Sequence, residues 1–184
     1  MGHEIVQHGL NVPRSYATEG KSRLLMATQP SKSHLDEVDV QILTLLQQDG
    51  RITNADLAKN VGLSPPSVLQ RVRALEKAGL IKGYHAILDA DRLGLRITAW
   101  VQISLALHQE QPIERFRRGV QDIPEILECY QVSGDYDFLL KVVVRDMRHY
   151  EVFVREKLSK IKGIGQIKTN MVFGTAKHTT QIVI

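Results

Sequence analysis

An α+β chain in two parts is predicted by three features of the sequence. Apolar residues recur at helical spacing in three consecutive stretches between Leu35 and Gly79, the second and third joined across only Gly62 and Leu63. From Ile97 the period changes to alternation, and strands and helices then follow in the order β-α-β-β-α-β. Between the two lies a connector around Gly94 that sustains neither period. The first part has the form of a winged helix-turn-helix. The second has that of a ferredoxin-like βαββαβ domain, an antiparallel sheet with two helices on one face. The expected divisions are a flexible N-terminal extension (1–34), a helix-turn-helix domain (35–81), a linker strand and connector (82–96) and the ferredoxin-like domain (97–184).

Each element has its own signal. Residues 1–34 mix Gly, Pro, Ser, Thr and charges without a sustained period, so no packed element is expected there. Leu35, Val38, Ile42, Leu45 and Leu46 share a face of the first helix, which Asp49-Gly50 should end through a residue able to take positive φ. Thr53-Asn54-Ala55-Asp56 has the form of a capping box and opens the second helix, whose apolar stripe is Leu57, Ala58 and Val61. Gly62 permits a sharp turn. Ser64 is a natural N-cap for the third helix, with Pro65 and Pro66 in the first turn, where a missing N–H costs little. Val68, Val72 and Leu75 line that helix's buried face and Gly79 stops it. Residues 80–88 read as extended.

In the second part Ile97, Ala99, Val101, Ile103, Leu105 and Leu107 alternate with Thr98, Trp100, Gln102 and Ser104, the pattern of a strand. Pro112 opens a helix with Ile113, Phe116 and Val120 on one side, closed before Pro124. Two strands, 126–132 and 138–144, flank the turn 133–137. Asp146 caps a further helix bearing Met147, Tyr150, Val154, Leu158 and Ile161, with Gly163 after its end; Gly163-x-Gly165 reads as a helix stop followed by a turn, and 167–173 as the last strand. The two helices cover only one sheet face, yet both alternating sets are substantially apolar, Phe138, Leu140, Val142 and Val144 on one side and Leu139 and Val143 on the other. Trp100 alternates with the aliphatic set of its own strand, so an apolar patch would be left on the uncovered face. Such a patch usually finds a partner, here a second copy of the chain.

The totals exclude several classes. The 24 Lys and Arg against 20 Asp and Glu give a net charge of +4, which permits a polyanionic partner without demanding one. One cysteine, Cys129, rules out an intramolecular disulfide and a thiolate zinc site, and its apolar neighbours suggest an inert core thiol. No apolar stretch approaches the roughly 20 residues of a membrane span, and no signal peptide opens the chain, so a cytoplasmic setting without membrane contact is expected. The histidines form no i, i+4 metal pair, and neither a nucleophile elbow nor a phosphate loop is present. No enzyme activity and no cofactor or metal are expected.

The chemistry concentrates on the third helix. With Val68, Val72 and Leu75 buried, it presents Ser67, Gln70, Arg71, Ala74 and Lys77, with Arg73 at the flank. An α-helix fits the major groove of double-stranded DNA, where Gln pairs with adenine, Arg with guanine, and Lys and Arg reach phosphates. The DNA-contacting set is therefore Ser64, Pro66, Ser67, Gln70, Arg71, Arg73 and Lys77. Arg71 precedes buried Val72 and could instead bond within the bundle. The acidic first helix, with Asp36, Glu37 and Asp39, should face away from the duplex.

The run from Thr53 to Ser64, then Arg71-Val72-Arg73-Ala74-Leu75 and Gly79, resembles the Lrp/AsnC (feast/famine) regulators of bacteria and archaea. Leu35-Asp36, Asp39 and Asp49-Gly50-Arg51-Ile52 match that family's opening, and the run from Val132 to Lys141 is similar to its effector and assembly domain. The resemblance implies a sequence-specific transcriptional regulator that forms homodimers and assembles to an octamer or similar species. It also implies a small-molecule effector, an amino acid or related metabolite, held between C-terminal domains. The alternative reading is a nucleoid-organising protein with weak sequence preference.

Given an amino-acid effector, the turn Ser133, Gly134, Asp135, Tyr136, Asp137 is its candidate site. Backbone N–H groups around Gly134 could meet the carboxylate, and Asp135 and Asp137 the ammonium. The competing reading is that both aspartates only stabilise the hairpin through local side-chain-to-backbone bonds.

Overall fold

A computed structural model describes residues 35–106 and 111–184; the expected extension over residues 1–34 and Leu107 of the first strand's alternation lie outside the described residues. Two compact units divide between Gly83 and Tyr84.

The first unit is three helices, α1 (Glu37–Gln48), α2 (Asn54–Val61) and α3 (Pro65–Lys77). Their core is Ile42, Leu43, Leu57, Ala58, Val68, Val72 and Leu75, with Leu35, Val38, Leu45 and Leu46 packed at its margin. Gly62 adopts φ +71° and joins α2 to α3, where an L side chain would be strained. Ser64 caps α3 by accepting from Ser67 N–H. Two local expectations change. Gly50 does not carry positive φ. α1 instead stops at Asp49, whose backbone turns extended and whose carboxylate accepts from Arg51 N–H at 2.8 Å. Thr53 caps α2 as expected, but Asp56 accepts from the Thr53 hydroxyl (2.7 Å) rather than returning to its backbone N–H. A reciprocal capping box stands at α1, between Asp36 and Asp39.

After α3 the expected linker strand does not form: residues 83–89 carry no strand, because among the described residues no strand runs beside them to offer a ladder. Tyr84, Ile87 and Leu88 are exposed there.

The second unit is a four-stranded antiparallel sheet in the order β2-β3-β1-β4, built from β1 (Ile97–Leu105), β2 (Ile126–Gln131), β3 (Phe138–Val144) and β4 (Ile164–Met171). Helices α4 (Pro112–Val120) and α5 (Met147–Glu156) supply the other layer of the core. Phe116, Val120, Tyr150 and Phe153 pack with Ala99, Val101, Ile103, Phe138, Leu140, Val142 and Val144. α5 ends sooner than its apolar period suggests: Leu158 sits in a 3-10 turn (Leu158–Lys160), Phe153 rather than Val154 is the fully buried residue, and Met147 is exposed. Gly165 is not in a turn. It lies within β4, where a Cβ would come 3.3 Å from the backbone nitrogen of Ala106, so glycine lets the strand pass a shift in the β1–β4 register. Cys129 is not in the core either. It sits on edge strand β2 and is exposed, with desolvation holding its thiol above the ordinary value. Among the described residues no helix is long and apolar enough to cross a membrane.

Candidate nucleic-acid interface and effector recess

Burying Val68, Val72 and Leu75 turns the rest of α3 outward. Ser67, Gln70, Arg73, Ala74 and Lys77 are exposed, as are Ser64 and Pro66 at the helix entry. Among the described residues no hydrogen bond or ion pair engages the side chain of Gln70, Arg73 or Lys77. Ser64 and Ser67 are joined hydroxyl to hydroxyl at 2.8 Å, which steadies the first turn. The helix thus offers an amide in its second turn, a cation in its third and another in its last, donors of the kind that base edges and phosphates accept.

Arg71 departs from this set. Its Nη1 donates to Asp36 Oδ2 at 2.7 Å and to Asp39 Oδ1 at 2.8 Å, across from α3 to the start of α1. Of its two expected roles, the bond within the bundle is the one the chain shows, because the register of Val72 in the core aims the preceding residue at α1. These bonds account for α1's acidic start: Asp36 and Asp39 face an arginine of α3. The Asp36 carboxyl is held below its usual value, first by the Asp39 N–H and next by Arg71.

The 133–137 turn divides its candidates in the same way. Gly134 has φ +120°. Asp137 is tied to the sheet: its N–H donates to Ile103 O at 2.8 Å, and its Oδ2 accepts from Leu105 N–H at 2.7 Å, extending the β1–β3 pairing past its last rung. Asp137 is therefore withdrawn from the effector set, although its carboxylate is held by the backbone of β1 and not by a bond local to the hairpin. Asp135 and Tyr136 instead border a recess of about 300 Å3 on the open sheet face. Its other walls are Gln102 and Ser104 of β1 with their cross-strand partners Lys168 and Gln166 of β4. Ser133 and Gly134 do not line it. Among the described residues neither Asp135 nor Lys168 is held by an ion pair.

Gln102, Ser104, Gln166 and Lys168 are not legible as site residues from the chain. Alternation puts Gln102 and Ser104 on one face, but the β1–β4 pairing that adds Gln166 and Lys168 joins strands more than 60 residues apart. The rest of this face is less apolar than its strand patterns suggest. Trp100, Leu139 and Val143 share it with Lys141 and Glu128, which pair at 2.9 Å, and Tyr130 donates to the same carboxylate at 2.8 Å. Those bonds, Lys141's first, hold Glu128 below the ordinary glutamate value.

Comparison with known proteins agrees with this division. Residues 35–82 match a family model described as winged helix-turn-helix DNA-binding, and residues 98–182 one described as the Lrp/AsnC ligand binding domain. The chain is 42% identical over 156 residues to the leucine-responsive regulatory protein of Escherichia coli K12, covering 85% of this chain and 94% of that one. The Serratia marcescens protein of the same name is 41% identical over 166 residues, covering 90% and 97%. Among solved structures, a transcriptional regulator of Neisseria meningitidis in complex with L-Met superposes with a TM-score of 0.78 at 34% identity, covering 81% of this chain and 96% of that one. An AsnC family transcriptional regulator of Agrobacterium tumefaciens gives 0.76 at 36%, covering 81% and 97%.

Proposed function

The chain belongs to the Lrp/AsnC family of transcriptional regulators, and from that premise we propose that its α3 reads double-stranded DNA through Gln70, Arg73 and Lys77 while the recess beside Asp135 takes an α-amino acid. The observation that carries the reading is the exposed side of α3, which places an amide and two cations without intramolecular partners among the described residues on a helix able to enter the major groove. Ser67 and the helix entry at Ser64 and Pro66 contact the backbone nearby. The protein acts in the cytoplasm, where its DNA lies, and catalyses nothing.

For the effector, the reading rests on the chemistry of the recess. A free amino acid carries an ammonium and a carboxylate on one carbon. Asp135 and Lys168 supply the opposite charges, and Gln102, Ser104 and Gln166 supply neutral donors and acceptors around them. The L-Met held by the Neisseria relative is a ligand of this class. The half-buried Trp100 and Leu139 on the open sheet face, and the exposed Tyr84, Ile87 and Leu88, support a homodimer that builds to an octamer or similar species. A neighbouring subunit then closes the recess.

Calorimetry with each of the twenty amino acids, on wild type and on Asp135→Asn and Lys168→Gln, tests the assignment. At least one amino acid binds wild type, and each variant loses about tenfold or more in affinity, the order of a charge-assisted hydrogen bond. Native affinity in both variants places the ligand elsewhere.

A further inference from the structure

The four carboxylate oxygens at the start of α1 are shared out between two tasks. Asp36 Oδ1 accepts from Asp39 N–H at 2.8 Å and Asp39 Oδ2 from Asp36 N–H at 3.4 Å, which closes the capping box. The remaining pair, Asp36 Oδ2 and Asp39 Oδ1, converge on Arg71 Nη1. One guanidinium of α3 is therefore bound by both members of the cap that starts α1. A cation beside a helix N-terminus is repelled by the positive end of the dipole. Two carboxylates overcome that repulsion here, so the contact is specific to this placement of the two helices. The side chain of Arg71 is about one-third exposed and that of Asp39 18% exposed, so the Asp39 half of the contact is sheltered, while Asp36 is about half exposed.

Position on α3 gives the contact its consequence. Arg71 follows Gln70 directly and lies two residues before Arg73, so a rotation or slide of α3 at Arg71 re-aims both. We infer that Arg71 is a positioning residue for DNA recognition: clamped by Asp36 and Asp39, it fixes the orientation of α3 against α1, and hence the aim of Gln70, Arg73 and Lys77, without touching DNA itself. The inference rests on the reading of α3 as the recognition helix.

The test uses the full chain and a duplex selected by the wild-type protein from a random pool, with an unrelated duplex as reference. Arg71→Gln, Asp36→Asn/Asp39→Asn and Arg73→Ala are compared in affinity for both duplexes, in the dependence of affinity on salt, and in thermal melting. Asparagine keeps a capping acceptor at position 36 while removing the charge, so the double variant still folds. A clamp predicts that Arg71→Gln and the double variant each lower the ratio of specific to unrelated affinity by about tenfold, the worth of one base contact, with the salt slope unchanged. A phosphate-contacting Arg71 predicts instead that Arg71→Gln makes the slope shallower by about 0.9, the share of one phosphate no longer neutralised, and that binding tightens once the two acidic charges are removed. Either of those results overturns the clamp, as does an unchanged ratio in Arg71→Gln or in the double variant. Loss of folding alone lowers the fraction of active protein but leaves the ratio fixed, and that too counts against positioning. If Arg73→Ala leaves both affinities native, the reading of α3 itself fails, and the two failures are thereby told apart.

Discussion

At the scale of single residues, the chain contains two pairs that look alike in sequence and separate in space. Arg71 and Arg73 are both cations of α3, yet one is bound to α1 and the other is free of the bundle. Asp135 and Asp137 are both acids of one turn, yet one borders the recess and the other closes the sheet. Local pattern marks all four as functional candidates. Their division depends on helix packing and strand pairing that join residues more than thirty apart, which no local pattern carries. The second pair yields a stability contrast. Asp137→Ala leaves the part-buried Leu105 N–H without its acceptor and costs about 1–3 kcal/mol, whereas Asp135→Ala stays within about 0.5 kcal/mol, as surface changes do; urea unfolding of the two variants reads the difference. Asp36 gives a pH signature. Its folded value is depressed, so its contribution is fully present above the ordinary aspartate value of 3.8 and is lost as pH falls through the lower, folded one. The gap in urea midpoint between wild type and Asp36→Asn should be constant from neutral pH down towards that ordinary value and shrink below it. A gap that widens on acidification contradicts the assignment.

At the scale of elements, period and cap chemistry are sufficient to locate the five α-helices and four strands of the described residues, because each signal is local. β3 runs from Phe138 to Val144, the span its alternation predicts. The sequence misleads where a glycine's surroundings decide its role. Gly62 and Gly79 take positive φ and end their helices, whereas Gly50 does not, the Asp49 carboxylate serving in its place. Gly165 is required by the passing backbone of β1, which a turn reading could not anticipate. Two substitutions check the distinction. Gly62→Ala meets nothing within 4 Å, so its whole cost is the strained backbone, about 1 kcal/mol. Gly50→Ala should be neutral to within about 0.5 kcal/mol, since no positive φ is forfeited there. Equal losses in both would show that the two chain reversals work alike, against the backbone angles observed.

At the scale of the whole molecule, the chain joins a helix-turn-helix DNA-binding unit to a ligand-binding unit. The open sheet face and the strandless 83–89 segment predict a dimer or larger species without DNA, and a monomer in sedimentation at micromolar concentration would contradict that. Two-fold-related reading helices then require half-sites spaced by the helical repeat of about 10–10.5 bp. The central claim is that α3 reads DNA with its exposed side. Its most direct test is the affinity of Gln70→Ala/Arg73→Ala/Lys77→Ala for a duplex selected by the wild-type protein. The exposed side chains of Gln70, Arg73 and Lys77 do not hold the bundle together, so melting should be unchanged while selective binding is lost and the residual affinity becomes alike for selected and unrelated duplexes. Native affinity and native selectivity in this folded variant would show that DNA is read elsewhere.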